Sequence, residues 1–173
     1  MAPLLYISRL IDGVNTVLGR AASWLVLVAV LVSAGNAISR KFFSMSSNAW
    51  LEMQWYLFGA VFMLGASWVL KLNQHVRIDV LTSRLSERWR NYIDLVGHVL
   101  FLLPFVLVHL YFAMPKFLST WHSGEVSMNA GGLPIWPAKA FIAIGFLMLL
   151  AQAISEIIKR VAVILNHSER QSA

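Results

Sequence analysis

Four stretches of this sequence run for 16 to 21 residues without a charged side chain. They lie between Arg20 and Arg40, Glu52 and Lys71, Asp94 and Lys116, and Lys139 and Glu156. A helix needs about 20 apolar residues to cross the hydrocarbon of a bilayer. The four runs therefore predict an all-α integral membrane protein with spans at about 21–39, 52–70, 93–114 and 137–158. The fourth reaches full length if Lys139 snorkels to the interface. Composition excludes the alternatives. Hydrophobic residues make up 58% of the 173 and charged residues 13%, too apolar for a soluble domain of this size or a disordered chain. There is no cysteine, hence no disulfide framework, thiolate metal site or cysteine nucleophile. Arg9 and Asp12 interrupt the apolar character of the first residues, unlike a signal peptide.

The net charge of +6 sorts by loop. Arg9, Arg20, Lys71, Arg77, Arg84, Arg88, Arg90, Lys159, Arg160 and Arg170 fall on one side of the four spans. Arg40, Lys41, Lys116 and Lys139 fall on the other. The positive-inside rule then places both termini in the cytoplasm. The basic excess belongs to membrane topology and does not call for nucleic acid as a partner.

The segments between spans carry their own pattern. Leu4, Ile7, Leu10, Ile11, Val14, Val17 and Leu18 recur at helical spacing, which predicts an amphipathic interfacial helix over 1–20. Leu81, Leu85, Trp89 and Ile93 recur at i, i+4. They fit a second interfacial helix with Asp79 as N-cap, or a cytoplasmic extension of the third span. Residues 159–173 are read as a cytoplasmic tail. Pro104 inside the third span predicts a kink, and Gly131 and Gly132 a turn before the fourth helix. Pro137 suits that helix's first turn. No internal repeat supports an inverted-repeat carrier within the chain.

Residues able to do chemistry are sparse. The spans contain no acid, Lys or Arg away from their ends, and their mid-span polar groups are few: Asn36, His98, His109 and Gln152. A transporter places ionisable groups at membrane depth, so an autonomous exporter is disfavoured. His98 and His109 fall about 20° apart on one helix face and about 16 Å apart along it. Stacked haems would need matching ligands on a second helix, and no other span has a histidine. Polar packing is the better account, and a cytochrome b-type anchor the rival. Glu52 is either an acid favoured by the helix N-terminus or an inter-subunit contact. Glu156 is spaced to pair with Lys159 and Arg160, and Glu125 and His122 read as solvated loop groups. Most of the seven Trp sit near span boundaries, as an aromatic belt does. Ala22, Ala29, Ser33 and Ala37 predict close helix packing. No phosphate loop, metal-binding spacing or catalytic triad is present, so neither an enzyme nor a cofactor is expected.

One stretch resembles a known family. NAWLEMQWYLFGAVFMLGASWVLKLNQHVRIDVL, residues 48–81, is similar to the Q-type small membrane subunit of tripartite ATP-independent periplasmic (TRAP) transporters. The likeness rests on Trp50 and Glu52, then Leu64-Gly65-Ala66, then the run from His75 through Arg77 and Asp79 to Val80. It continues in SGEVSMNAGGLPIWPAK, residues 123–139, with Gly124, Glu125, Ser127, Leu133-Pro134, Trp136 and Pro137. Gly145-Phe146, Gln152 and Glu156 extend it into the last span. The resemblance covers about residues 10–165. It implies a scaffold subunit in the bacterial inner membrane, paired with a large M-type membrane subunit and served by a periplasmic substrate-binding protein. It also implies sodium-coupled uptake of organic acids, with substrate and ion held by the large subunit. Many members carry two consecutive acids where this chain has Glu52-Met53. The GGLPIWP form suggests a subgroup for 2-oxo acids or other carboxylates. On this basis the third loop, around Glu125 and Trp136, is expected to receive the binding protein. His75, Arg77 and Asp79 are expected to anchor the cytoplasmic interface.

Overall fold

The computed structural model describes residues 2–45, 47–74 and 85–172, with the side chains of Ala2 and residues 166–172 outside that description. His75, Arg77, Asp79 and Leu81 thus lie outside the described residues. The helices are α1 (Ala2–Phe43), α2 (Asn48–Lys71), α3 (Glu87–Gly97), α4 (Leu103–Ser123) and α5 (Trp136–Ser172). A π-helical turn, His98–Leu102, joins α3 to α4 without a break. Among the described residues, four helical runs are therefore long and apolar enough to cross a membrane, as the uncharged stretches predict.

Their packing follows from the absence of a hydrophobic drive between helices in lipid. Association there rests on close van der Waals approach, which small residues permit. The buried apolar residues are accordingly mostly alanines: Ala22 and Ala29 on α1, Ala60 on α2, and Ala140, Ala143, Ala153 and Ala162 on α5. Two glycines mark the closest approaches. A Cβ on Gly19 would lie 2.5 Å from Trp68 Cβ, and one on Gly145 would lie 2.7 Å from Met63 Cβ. α1 and α2 pack as an antiparallel pair. α5 packs against both, so the three helices meet one another, and α3 and α4 pack chiefly against α5. Broad apolar faces are left outside these contacts, with Phe62 and Phe101 about three-quarters exposed.

Two helices depart from the spans that charge spacing suggests. The segment before Arg20 is not a separate interfacial helix but the first half of α1. At 42 residues, α1 is about 63 Å long, roughly twice the hydrocarbon thickness. Its polar residues Ser8 and Asn15 are buried, while Leu4, Ile7, Leu10, Val14 and Val17 are exposed. The helical period is as expected; the apolar stripe faces away from the protein. Residues 87–97 likewise continue the third span. Pro104 explains the turn between them. Its nitrogen has no hydrogen for the Leu100 carbonyl and its ring crowds that group, and the wide turn at His98–Leu102 accommodates the misfit. Where a kink is expected, the helix carries this π-helical turn. At the far end α5 begins at Trp136, with Pro137 in its first turn, and runs on to Ser172.

The two kinds of glycine make opposite predictions. Gly145→Val should destabilise the α2–α5 contact by about 1–3 kcal/mol. Gly65 has no atom within 4 Å of its would-be Cβ, so Gly65→Ala should leave the melting temperature of the detergent-solubilised chain unchanged. Equal melting of the Gly145 variant and wild type would contradict this packing.

Candidate functional site

The stretch from Gly124 to Ile135 is a small hairpin that lies along the flank of α2. Gly124 takes a left-handed conformation (φ 61°) and ends α4. The Ser127 N–H donates to the Leu133 carbonyl at 2.9 Å, and the Ile135 N–H to the Glu125 carbonyl at 3.0 Å. Gly131, also at positive φ (69°), carries the turn between the two legs. Asn48, Glu52 and Tyr56 are spaced i, i+4, i+8 and so share one face of α2. All three hold the hairpin. Asn48 Nδ2 donates to the Ala130 carbonyl at 3.1 Å, and the Tyr56 hydroxyl to the Pro134 carbonyl at 3.2 Å.

Glu52 is the centre of this latch. It is buried, and its carboxylate accepts from the Ser127 hydroxyl, from Asn129 Nδ2 at 2.7 Å and from the Leu133 backbone N–H at 2.7 Å. Three donors converge on one anion, which suits the capacity of an ionised carboxylate. Of its two readings, helix-terminus acid and contact to another subunit, neither describes these partners: the carboxylate is committed within the chain. On the hairpin's other leg, Glu125 Oε2 accepts from Lys139 Nζ at 3.1 Å and from the Thr120 hydroxyl at 3.2 Å. Lys139 also donates to Thr120 at 2.6 Å. Glu125 is therefore paired, not merely solvated beside His122. The hydrogen bond and charge of Lys139, then the Thr120 hydroxyl, hold its carboxyl below the usual value of 4.5. The sign follows: the tie is present above the ordinary carboxylate range and is lost as pH falls through the lowered value. Trp136 packs edge-to-face on Trp121, centroids 4.6 Å apart, and Trp50 lies over Gly35.

A second polar cluster lies at the opposite end of the helices. Gln152 is fully buried. Its Oε1 accepts from Asn15 Nδ2 at 2.6 Å, and its Nε2 donates to Asp12 Oδ1 at 2.8 Å and Glu156 Oε1 at 2.9 Å. Ser155 Oγ donates to Asp12 Oδ1 at 3.0 Å and lies 2.6 Å from Ser8 Oγ. Lys159 bridges Asp12 at 3.1 Å and Glu156 at 2.5 Å. Lys71, at the end of α2, donates to the Asp12 carbonyl at 3.1 Å and to the Thr16 hydroxyl. Arg160 binds Asn91 at 2.7 Å and Asp94 at 3.0 Å, which ties α3 to α5. Glu156 thus pairs with Lys159 as spacing predicts, while Arg160 turns to α3 instead.

The two histidines both meet α5. His98 is buried in the π-helical turn, its Nδ1 without a hydrogen-bond partner. His109 Nδ1 lies 2.8 Å from the Phe105 carbonyl, and its ring stacks on Phe146 at 5.0 Å. Among the described residues no group of three or more His, Asp or Glu is placed to hold a metal ion.

The structure thus brings together two stretches that sequence singled out separately, through Glu52 with Ser127 and Leu133 and through Tyr56 with Pro134. Gly124 begins the hairpin, while Trp50 faces Gly35, Glu125 pairs with Lys139, and Trp136, beside Pro137, packs on Trp121. Gly65 stands apart, on open surface of α2. Sequence reasoning missed the latch partners Asn48, Tyr56 and Asn129 and most of the second cluster. The signals available were the spacing of Asn48, Glu52 and Tyr56, and that of Ser8, Asp12 and Asn15 opposite the apolar stripe.

The family model described as Tripartite ATP-independent periplasmic transporters, DctQ component, matches residues 29–163. No curated protein and no solved structure matches the chain. The match includes the latch, Gln152 and Glu156, and excludes Ser8, Asp12 and Asn15.

Two predictions test these clusters. Glu52→Ala leaves three donors without an acceptor, so hydrogen exchange at the Ser127 and Leu133 amides should rise at least about tenfold; unchanged exchange would show that the latch does not hold the hairpin. In a double-mutant cycle, Asn15→Ala and Gln152→Ala should couple by about 1 kcal/mol in unfolding of the detergent-solubilised protein. Additive effects would mean that this bond is not formed.

Proposed function

We propose, from the premise that the chain belongs to the DctQ family of tripartite ATP-independent periplasmic transporter components, that it is the static scaffold of such a transporter. As a member it is a multi-pass membrane protein and the small component of a transporter, not an enzyme. The scaffold role goes further, and the observation that carries it is where the chain keeps its charge. Glu52 and Glu125 are taken up by the hairpin latch at one end, and Asp12, Glu156, Lys159 and Arg160 by the cluster at the other. Between them lie apolar faces on α1, α2 and α4 that the chain leaves open. Such faces suit lipid and a partner's helices.

In this account a larger membrane subunit carries the substrate and ion sites and moves against this chain. A soluble binding protein delivers an organic acid anion, and a sodium gradient drives uptake. The transporter sits in the bacterial inner membrane with both termini of this chain in the cytoplasm, which places the hairpin at the periplasmic end. The excess of Lys and Arg on the terminal side supports that orientation. His75, Arg77 and Asp79 then lie on the cytoplasmic side, where polar residues alternating with Val76, Ile78 and Val80 suit contact with the large subunit.

Reconstitution tests the division of labour. Proteoliposomes holding this chain, the large subunit and the soluble component should accumulate a labelled organic acid under an inward sodium gradient. Those holding this chain alone should not. Uptake by the chain alone would overturn the scaffold role.

A further inference from the structure

Arg20 and Lys71 stand at the same edge of the membrane-spanning band. Arg20 and Arg40 bracket the first span on α1 and lie about 30 Å apart along its axis, which is the thickness of the hydrocarbon. Glu52 and Lys71 bracket the second span on α2 in the same way. The two helices run antiparallel, with Trp50 over Gly35 and Trp68 over Gly19, so Arg20 and Lys71 come to one boundary. There Lys71 Nζ crosses to α1 and donates to the Asp12 carbonyl at 3.1 Å and to the Thr16 hydroxyl. Thr16 and Arg20 are i, i+4 neighbours on one face of α1.

Both cations lack a counter-charge. Lys71 is held by neutral oxygens, and the exposed Arg20 pairs with no carboxylate among the described residues. Asp12, whose carbonyl Lys71 reaches, turns its carboxylate to Gln152, Ser155 and Lys159 on α5. An ammonium has three donors and a guanidinium five, so one on Lys71 and all on Arg20 are left for a ligand. Gly13, on the same face of α1, has nothing within 4 Å of its would-be Cβ, which keeps the flank open beside them. On the hydrocarbon side of Arg20 that face is apolar. Trp24, Leu27 and Leu31 follow at helical spacing, with relative exposures of 70%, 50% and 62%. Paired cations at the boundary with an apolar track running inward complement a phospholipid, which places its phosphate just outside the hydrocarbon and its chains within.

We infer that Arg20 and Lys71 hold the phosphodiester of an anionic phospholipid, with an acyl chain along Trp24, Leu27 and Leu31. Two cations around one phosphate favour a headgroup that carries no ammonium of its own, so phosphatidylglycerol binds in preference to phosphatidylcholine. The site depends on the spans, and not on which end of them faces the cytoplasm or on the other components of the transporter.

Native mass spectrometry of the detergent-solubilised full chain, titrated with each lipid, tests the site. The chain should bind phosphatidylglycerol at least about tenfold more tightly than phosphatidylcholine. Arg20→Gln should abolish that preference and leave the melting temperature without lipid unchanged, since the Arg20 side chain holds no hydrogen bond or ion pair among the described residues. Arg9→Gln removes an equal charge from the same face of α1, about 16 Å further from the hydrocarbon, and should leave the preference intact. Equal losses in the Arg9 and Arg20 variants would reduce the effect to diffuse attraction of charge and overturn the site. Equal binding of the two lipids by the wild type, or a full preference retained in Arg20→Gln, would also overturn it. Displacement of the lipid by inorganic phosphate at equal concentration would assign the two cations to a soluble anion and likewise overturn the lipid site.

Discussion

A buried polar side chain finds its partner within the protein or costs several kcal/mol, and this constraint orders both ends of the chain. At one end the Glu52 carboxylate gathers three donors from a hairpin some 75 residues away in sequence. At the other, Gln152 spends its amide oxygen on Asn15 and its amide nitrogen on Asp12 and Glu156. The first sets the outline of the loop between α4 and α5. The second sets where α1 crosses α5, and so where the first half of a very long helix lies. Remove either and the helices keep their small-residue contacts but lose what fixes their ends.

Between these ends the chain is held by proximity. Alanines and Gly19 and Gly145 let backbones meet closely, which stabilises pairs of helices without enclosing a core. α1, α2 and α5 meet one another, and α5 also carries α3 and α4. Such an arrangement suits a component of a larger assembly, because α1, α2 and α4 each keep an exposed apolar face. The ionisable groups of the two clusters serve this chain's own architecture.

That four helices are long and apolar enough to span a membrane was legible because charge spacing reports directly on what hydrocarbon tolerates. Glu156 with Lys159 was legible because i,i+3 neighbours meet in any helix. Other features were not legible, for physical reasons. Helical period tells which residues share a face, not which face is inside. Leu4, Ile7, Leu10 and Val14 form a stripe as expected, but it is Ser8 and Asn15 that meet the protein, because α5 offers them the polar partners Ser155 and Gln152. An interfacial helix and the first half of a longer helix share a period, so continuity through Gly19 could not be read. The latch could not be derived from local pattern at all, since it joins residues far apart in sequence; resemblance marked both halves without saying that they touch.

The central claim is that this chain is part of a transporter and not a whole one. The most direct test is native mass spectrometry of the tagged chain, extracted from its own membrane in mild detergent. The account predicts a complex with a second, larger multi-helix membrane protein. Recovery only as the 19.4 kDa chain, or as a multiple of that mass, would contradict it.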